Sequence, residues 1–165
     1  MSRAAINRKV SMYQIISIAM VAALALVIIL FLAQGGGSRK PISEVSPKAE
    51  ALFSNDKSQK SSERLLKKYY GLNPEEYDGV VLYFPITNMD AEEMLIIRLA
   101  DPAQAEEVVN AIRERNLSQC NVYEGYAPEQ FALCENAVID VQGNYILYVV
   151  HGDADRIDAA FKEAL

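Results

Sequence analysis

Cys120 and Cys134 are the only cysteines of this 165-residue chain, and His151 is its only histidine. Those three residues bound the chemistry available. Two thiols bracketing a 15-residue segment could close a disulfide, with a chain-entropy stabilisation of roughly 3 kcal/mol. They could equally be two separate buried thiols, since cysteine packs as a small apolar residue. Tetrahedral zinc needs further ligands that one histidine does not supply, so no metal residues are expected. A catalytic histidine needs a nucleophile and an orienting acid, and no serine sits in a G-x-S-x-G turn. Asp153, Asp155 and Asp158 lack the glycine and terminal glutamate of a calcium loop and read as the cap and first turn of a helix. A carboxylate pair for hydrolysis could exist among the eighteen acids of residues 69–165, but nothing singles one out. No catalytic, cofactor-binding or metal-ligating residue is therefore expected.

Contact chemistry is better represented. Eight of the nine tyrosines fall in residues 69–165, and the chain has no tryptophan. Tyrosine offers a large apolar area with a polar tip, useful at interfaces and sugar sites and equally at home in a core with its hydroxyl satisfied. Tyr123, Tyr126, Tyr145 and Leu147 are the candidate interaction residues.

The elements that must position them form the order α, ββ, α, ββ, α. Ser46-Pro47 reads as a helix start, with Ala49, Leu52 and Phe53 on one face, and residues 62–72 hold a second helical piece with Leu65, Leu66, Tyr69 and Tyr70 on its buried face and a glycine end at Gly71. Val80–Phe84 and Met94–Leu99 are β-rich runs joined by a polar loop. Asp101, Pro102 and Gln104 are a capping signature for a helix whose apolar face is Ala105, Val108, Val109 and Ile112, with Arg113 and Arg115 at its negative end. Residues 115–126 have no clear period, and Pro128–Leu133 reads as a short helix. The second hairpin turns at Gly143-Asn144, which sets Ile139 opposite Tyr148 and Val141 opposite Ile146. Ile157, Ala160, Phe161 and Ala164 form the inward face of a last helix. This is an α+β domain with a mostly antiparallel four-stranded sheet from two hairpins. Tyr145, Leu147 and Val149, with Val81 and Tyr83, fall on the sheet side away from the helices. Either the first helix or residues 116–136 cover them, or they form an apolar patch that binds something.

Charge divides the chain. Residues 1–13 carry +3, residues 39–68 carry +4 and residues 69–165 carry −13, for a net charge of −6. A unit this acidic repels phosphates, which excludes nucleic acid as its partner. Residues 15–33 contain no charge and one hydroxyl, and as a helix they would be roughly 28 Å long, enough for a bilayer. The expected order is a cytoplasmic N-terminus over 1–13, a transmembrane helix over 14–34, a flexible linker over 35–46 and an extracytoplasmic domain over 47–165, its core in 60–165. Arg3, Arg8 and Lys9 set the orientation. Cleavage near Gly35 is the alternative, since signal-peptide cores are shorter but also end in small residues. No cysteine precedes Cys120, so no lipid anchor is available. The basic 39–68 stretch reads either as a solvated linker or as a surface for anionic headgroups or wall polymer.

Arg115, Gln119, Tyr123, Tyr126, Pro128, Leu133, Gly143 and Tyr145, with YYGL before them and EEMLIIRL between, are spaced as in the family built on domain of unknown function 4358, which the chain resembles over residues 60–165. That resemblance implies an extracytoplasmic domain of Gram-positive-type bacteria carried behind a span or lipid anchor, and lends no catalytic residues. The expected function is a membrane-anchored binding or interaction module of the cell envelope, in contact with the bilayer and with an envelope protein or polymer, without a cofactor. The alternatives are a structural or regulatory component acting through its membrane helix, and a carboxylate-based hydrolase.

Overall fold

A computed structural model describes residues 37–165. The segments expected as N-terminus and membrane span, and the cleavage position near Gly35, lie outside the described residues. Among the described residues no helix is long and apolar enough to cross a membrane.

Five strands form one antiparallel sheet in the order β1-β2-β3-β5-β4: β1 Ser58–Lys60, β2 Tyr77–Pro85, β3 Glu93–Leu99, β4 Val138–Gln142 and β5 Tyr145–Val150. Both expected hairpins form, and the second has the expected register, Ile139 opposite Tyr148 and Val141 opposite Ile146. Gly143 takes φ 60° at the first turn position, the conformation that joins two twisted strands through a two-residue loop. The sheet has one strand more than expected. Ser58–Lys60 is polar and carries no alternation, yet its backbone pairs with Tyr83–Pro85 at the edge of β2. An edge strand needs only backbone groups to join a ladder, so its side chains leave no pattern.

Among the described residues the five α-helices are α1 Ile42–Phe53, α2 Glu63–Tyr70, α3 Ala105–Tyr123, α4 Pro128–Glu135 and α5 Ala154–Ala164. They form two layers. Leu66 and Tyr70 of α2, Val108, Ile112 and Tyr123 of α3 and Cys134 of α4 pack with Leu95, Ile97, Ile146 and Tyr148 on one face of the sheet. Val45, Ala49 and Phe53 of α1 and Ile157, Phe161 and Ala164 of α5 pack with Met94, Ile96, Tyr145 and Leu147 on the other. All six residues of β5 are buried, as in any strand covered on both sides. Tyr145, Leu147 and Val149 are thus core residues beneath α1 and α5, and that face of the sheet offers no exposed patch.

Two boundaries differ from the sequence reading. Helix α1 begins at Ile42, so the expected linker over 35–46 is folded in its last five residues, and Pro47 lies inside the helix. Ser46, expected as a cap, instead donates to Glu50. Gly79 explains how this first turn reaches the sheet: a Cβ there would lie 2.6 Å from Ile42 Cγ2. Ahead of the helix, Ser38 accepts from Asn144 Nδ2 at 3.2 Å, and Lys40 donates through Nζ to Ala164 at 2.6 Å. The Tyr145 hydroxyl donates to the Lys40 carbonyl at 2.8 Å. The chain therefore enters the unit beside the β4–β5 turn.

The capped helix also differs. Asp101 and Gln104 form the expected capping box, but α3 runs on through Tyr123, so Arg113 and Arg115 lie in its middle. The apolar period fades after Ile112 because the inward positions become Gln119, the half-buried Asn116 and Tyr123, while Leu117 and Val122 point outward at 62% and 55% exposure. On the opposite face Glu50 ties α1, β1 and β2 together, accepting from Lys60 at 2.8 Å and Tyr83 at 2.9 Å. Burial works to raise its carboxyl, but those bonds and the one from Ser46 hold it below the ordinary value.

Candidate functional site

Arg115, Gln119 and Tyr123 stand one helical turn apart, so they form a polar stripe along one side of α3. They face the end of β2 and the loop 86–92, and between them lies a recess of about 280 Å³ walled also by Tyr69, Phe84 and Asp90.

Its foundation is a buried ion pair. Glu93, fully buried at the start of β3, accepts from Arg115 Nη2 at 2.7 Å and Nε at 3.3 Å. The Tyr70 hydroxyl also donates to it. Burial pushes the Glu93 carboxyl above its ordinary value, and the Arg115 charge with bonds from Arg115, Tyr70 and Gln119 opposes that rise. Burial first, then the Glu93 charge, pushes the Tyr70 hydroxyl well above its usual range, so it stays a neutral donor. The Tyr148 hydroxyl extends the network to Asn116 at 3.1 Å and Gln119 at 3.3 Å. Both Glu93 oxygens are engaged, so this carboxylate turns inward and holds the arginine in place.

Arg115 gives two of its five N–H groups to Glu93, leaving three. Its guanidinium carbon lies 5.1 Å from the ring centre of Tyr69 and 5.0 Å from that of Phe84, which stack on one another at 4.5 Å. Aromatic faces attract a guanidinium, so the pair of rings fixes the third side of its environment.

The loop opposite is held at several points. Tyr123 donates its hydroxyl to the Asp90 carbonyl at 2.6 Å, Ala91 donates its N–H to Gln130 at 2.8 Å, and Ile86 donates its N–H to Lys57 at 2.9 Å. Burial pushes the Tyr123 hydroxyl up to about 12, which keeps it a donor at physiological pH. Tyr123→Phe should leave a carbonyl short of its partner at a cost of about 1–3 kcal/mol. Hydrogen exchange at Asp90 and Ala91 should then speed up well beyond that in β3 and β5; equal protection in both chains would show that the loop is held elsewhere.

Tyr123 and Tyr126 are thus brought together, ring centres 6.2 Å apart, with Tyr123 buried in the wall and Tyr126 55% exposed. Tyr145 and Leu147 lie across the sheet, fully buried, and share no pocket with them. Cys120 and Cys134 are free thiols facing each other between α3 and α4. Among the described residues no group of three or more potential ligands could hold a metal ion. His151 accepts the Asp153 N–H at 2.9 Å and packs its ring 5.4 Å from that of Phe53, which makes it part of the turn into α5. From sequence, Glu93, Phe84, Tyr69 and Asp90 carry no expected role in a site. The visible signal was the stripe Arg115, Gln119, Tyr123.

These features define an α+β domain with a five-stranded antiparallel sheet between helical layers and a recess founded on a buried ion pair. The family described as Domain of unknown function (DUF4358) matches residues 51–151, more than half of the chain. The chain belongs to that family. The matched range holds the whole sheet, α3 and the recess, and leaves α5 outside. No curated protein and no solved structure was found to match it.

Proposed function

We propose that the chain is a membrane-tethered binding module of the cell envelope, held by the apolar segment 14–34, and that the recess is its binding site. One observation carries this reading. The chain enters the folded unit at Gly37 beside the β4–β5 turn, and the recess lies at the other end of the sheet, about 26 Å along β2. The entry of the chain and the recess therefore occupy opposite ends of the folded unit, which leaves the recess clear of the entering segment. The fixed arginine, the aromatic walls and the bonded loop form a site prepared before its ligand arrives, which lowers the entropy cost of binding.

The reading is tested by photo-crosslinking in cells. A benzophenone amino acid in place of Val122, at the recess, should give a discrete crosslinked product. The same group in place of Val141, exposed on the β4 edge, should not. Identical patterns from the two positions would contradict the recess as the site.

A further inference from the structure

Ile86 and Met89 on the loop of the recess, and Val122 and Tyr126 beside Tyr123, are 51%, 64%, 55% and 55% exposed. Half of the eight exposed large hydrophobics of the described unit therefore crowd the two segments that border one recess. Solitary exposed apolar side chains are ordinary, but a cluster around a concavity marks an interaction surface. Tyrosine, methionine and arginine are the residue types enriched in interface cores.

Charge narrows the partner. Residues 86–93 and 116–130 contain no lysine or arginine and five acids. Glu92 is paired with Lys57 and Glu93 with Arg115, while Asp90, Glu124 and Glu129 are in no ion pair among the described residues. Arg115 is the cation among the lining residues and its charge is met by Glu93, while Lys68 lies outside the recess, over the Tyr69 ring at 4.7 Å. The balance is negative, so a phosphate or carboxylate polymer meets repulsion and a cationic segment meets attraction. Size narrows it further. At about 280 Å³ the recess is smaller than the cavities that enclose drug-sized ligands and suits one large side chain.

From the apolar ring, the unpaired acids and the single-side-chain recess, we propose that this surface docks a polypeptide segment of a partner protein that inserts one aromatic or large aliphatic side chain and flanks it with lysine or arginine. This rests on the reading of the recess as the binding site and specifies its partner. Arg115 caps the inserted side chain against the Tyr69–Phe84 stack, and Glu124 and Glu129 on either side of Tyr126 receive the flanking cations.

The five methionines supply the test. In the full chain held in neutral detergent and labelled with 13C at methionine methyls, Met89 reports on the rim and Met94, fully buried on the other face of the sheet, serves as control. A short synthetic peptide with one tryptophan flanked by lysines should move the Met89 signal and leave Met94 in place. The same peptide with glutamates for lysines, or serine for tryptophan, should bind about tenfold more weakly or not at all. Glu124→Lys with Glu129→Lys, both exposed, should weaken the lysine peptide about tenfold without moving Met94. Equal binding of the glutamate peptide overturns the proposal. So does a Met89 shift produced only by N-acetylglucosamine oligomers, or one that follows protein concentration without any probe. If the peptides leave Met89 unmoved while the Val122 crosslink persists in cells, the partner class falls and the recess reading stands; if the crosslink is also absent, both fall.

Discussion

Arg115→Ala destabilises the folded unit by about 3–5 kcal/mol, because it leaves the Glu93 carboxylate buried without its cation. Thermal unfolding of the variant should therefore fall by roughly 10–20 °C for a domain of this size. The double replacement Glu93→Met with Arg115→Leu should recover most of the loss, since it removes both charges from the interior. The pH dependence follows from the direction of the Glu93 shift. Its carboxyl lies above its unfolded value, so the folded state takes up a proton more readily than the unfolded chain. Without the opposing guanidinium that effect grows. The deficit of Arg115→Ala should be largest at neutral pH and narrow as the pH falls through the folded Glu93 value towards the ordinary carboxylate range. Glu50, held below its ordinary value, contributes stability that fades as pH falls through its own folded value, in both chains alike, and cancels in the difference. A deficit independent of pH, or a double replacement as unstable as the single, would mean that Arg115 acts through packing on Tyr69 and Phe84 and not through Glu93.

Oxidation with glutathione disulfide should join Cys120 to Cys134, with loss of two hydrogens from the protein and release of two molecules of glutathione. The 15-residue loop so closed adds roughly 3 kcal/mol in the chain-entropy model, which raises the unfolding temperature by about 10 °C. The reaction should be slow at neutral pH. Burial pushes the Cys134 thiol up to about 12 and the half-buried Cys120 thiol above its ordinary value, and the thiolate is the attacking form. Cys120, the more accessible of the two, should react first, and Cys134 should resolve the mixed disulfide. Faster oxidation at higher pH, abolished by Cys120→Ser, would support this order. A Cys120→Ser chain that oxidises as readily as its parent would contradict it.

The hairpins, the glycine end of α2 at Gly71 and the capped start of α3 were legible because each rests on local chemistry. Alternation in Val138–Gln142 and the turn at Gly143 fix a register by themselves. Ser58–Lys60 could not be read as a strand, since pairing at an edge uses only backbone. The second half of α3 was hidden because its inward side chains are polar, and apolar periodicity is the signal that sequence reading follows. For Tyr145 and Leu147 the sequence left cover and exposure both open, because the helices that cover their face, α1 and α5, stand at opposite ends of the folded unit. The recess was the least visible feature. Tyr69, Phe84, Glu93 and Arg115 come from four elements, and in sequence Glu93 and Arg115 look like two more solvated charges. Only their juxtaposition makes them a buried pair.

The proposed function requires above all that the folded unit stand outside the membrane with its recess open. Met89→Cys puts a thiol on the rim at a position 64% exposed, while the native thiols are buried or half-buried. A membrane-impermeant maleimide added to intact cells should label this variant strongly and the parent chain weakly. Labelling of Met89→Cys only after lysis would contradict the account.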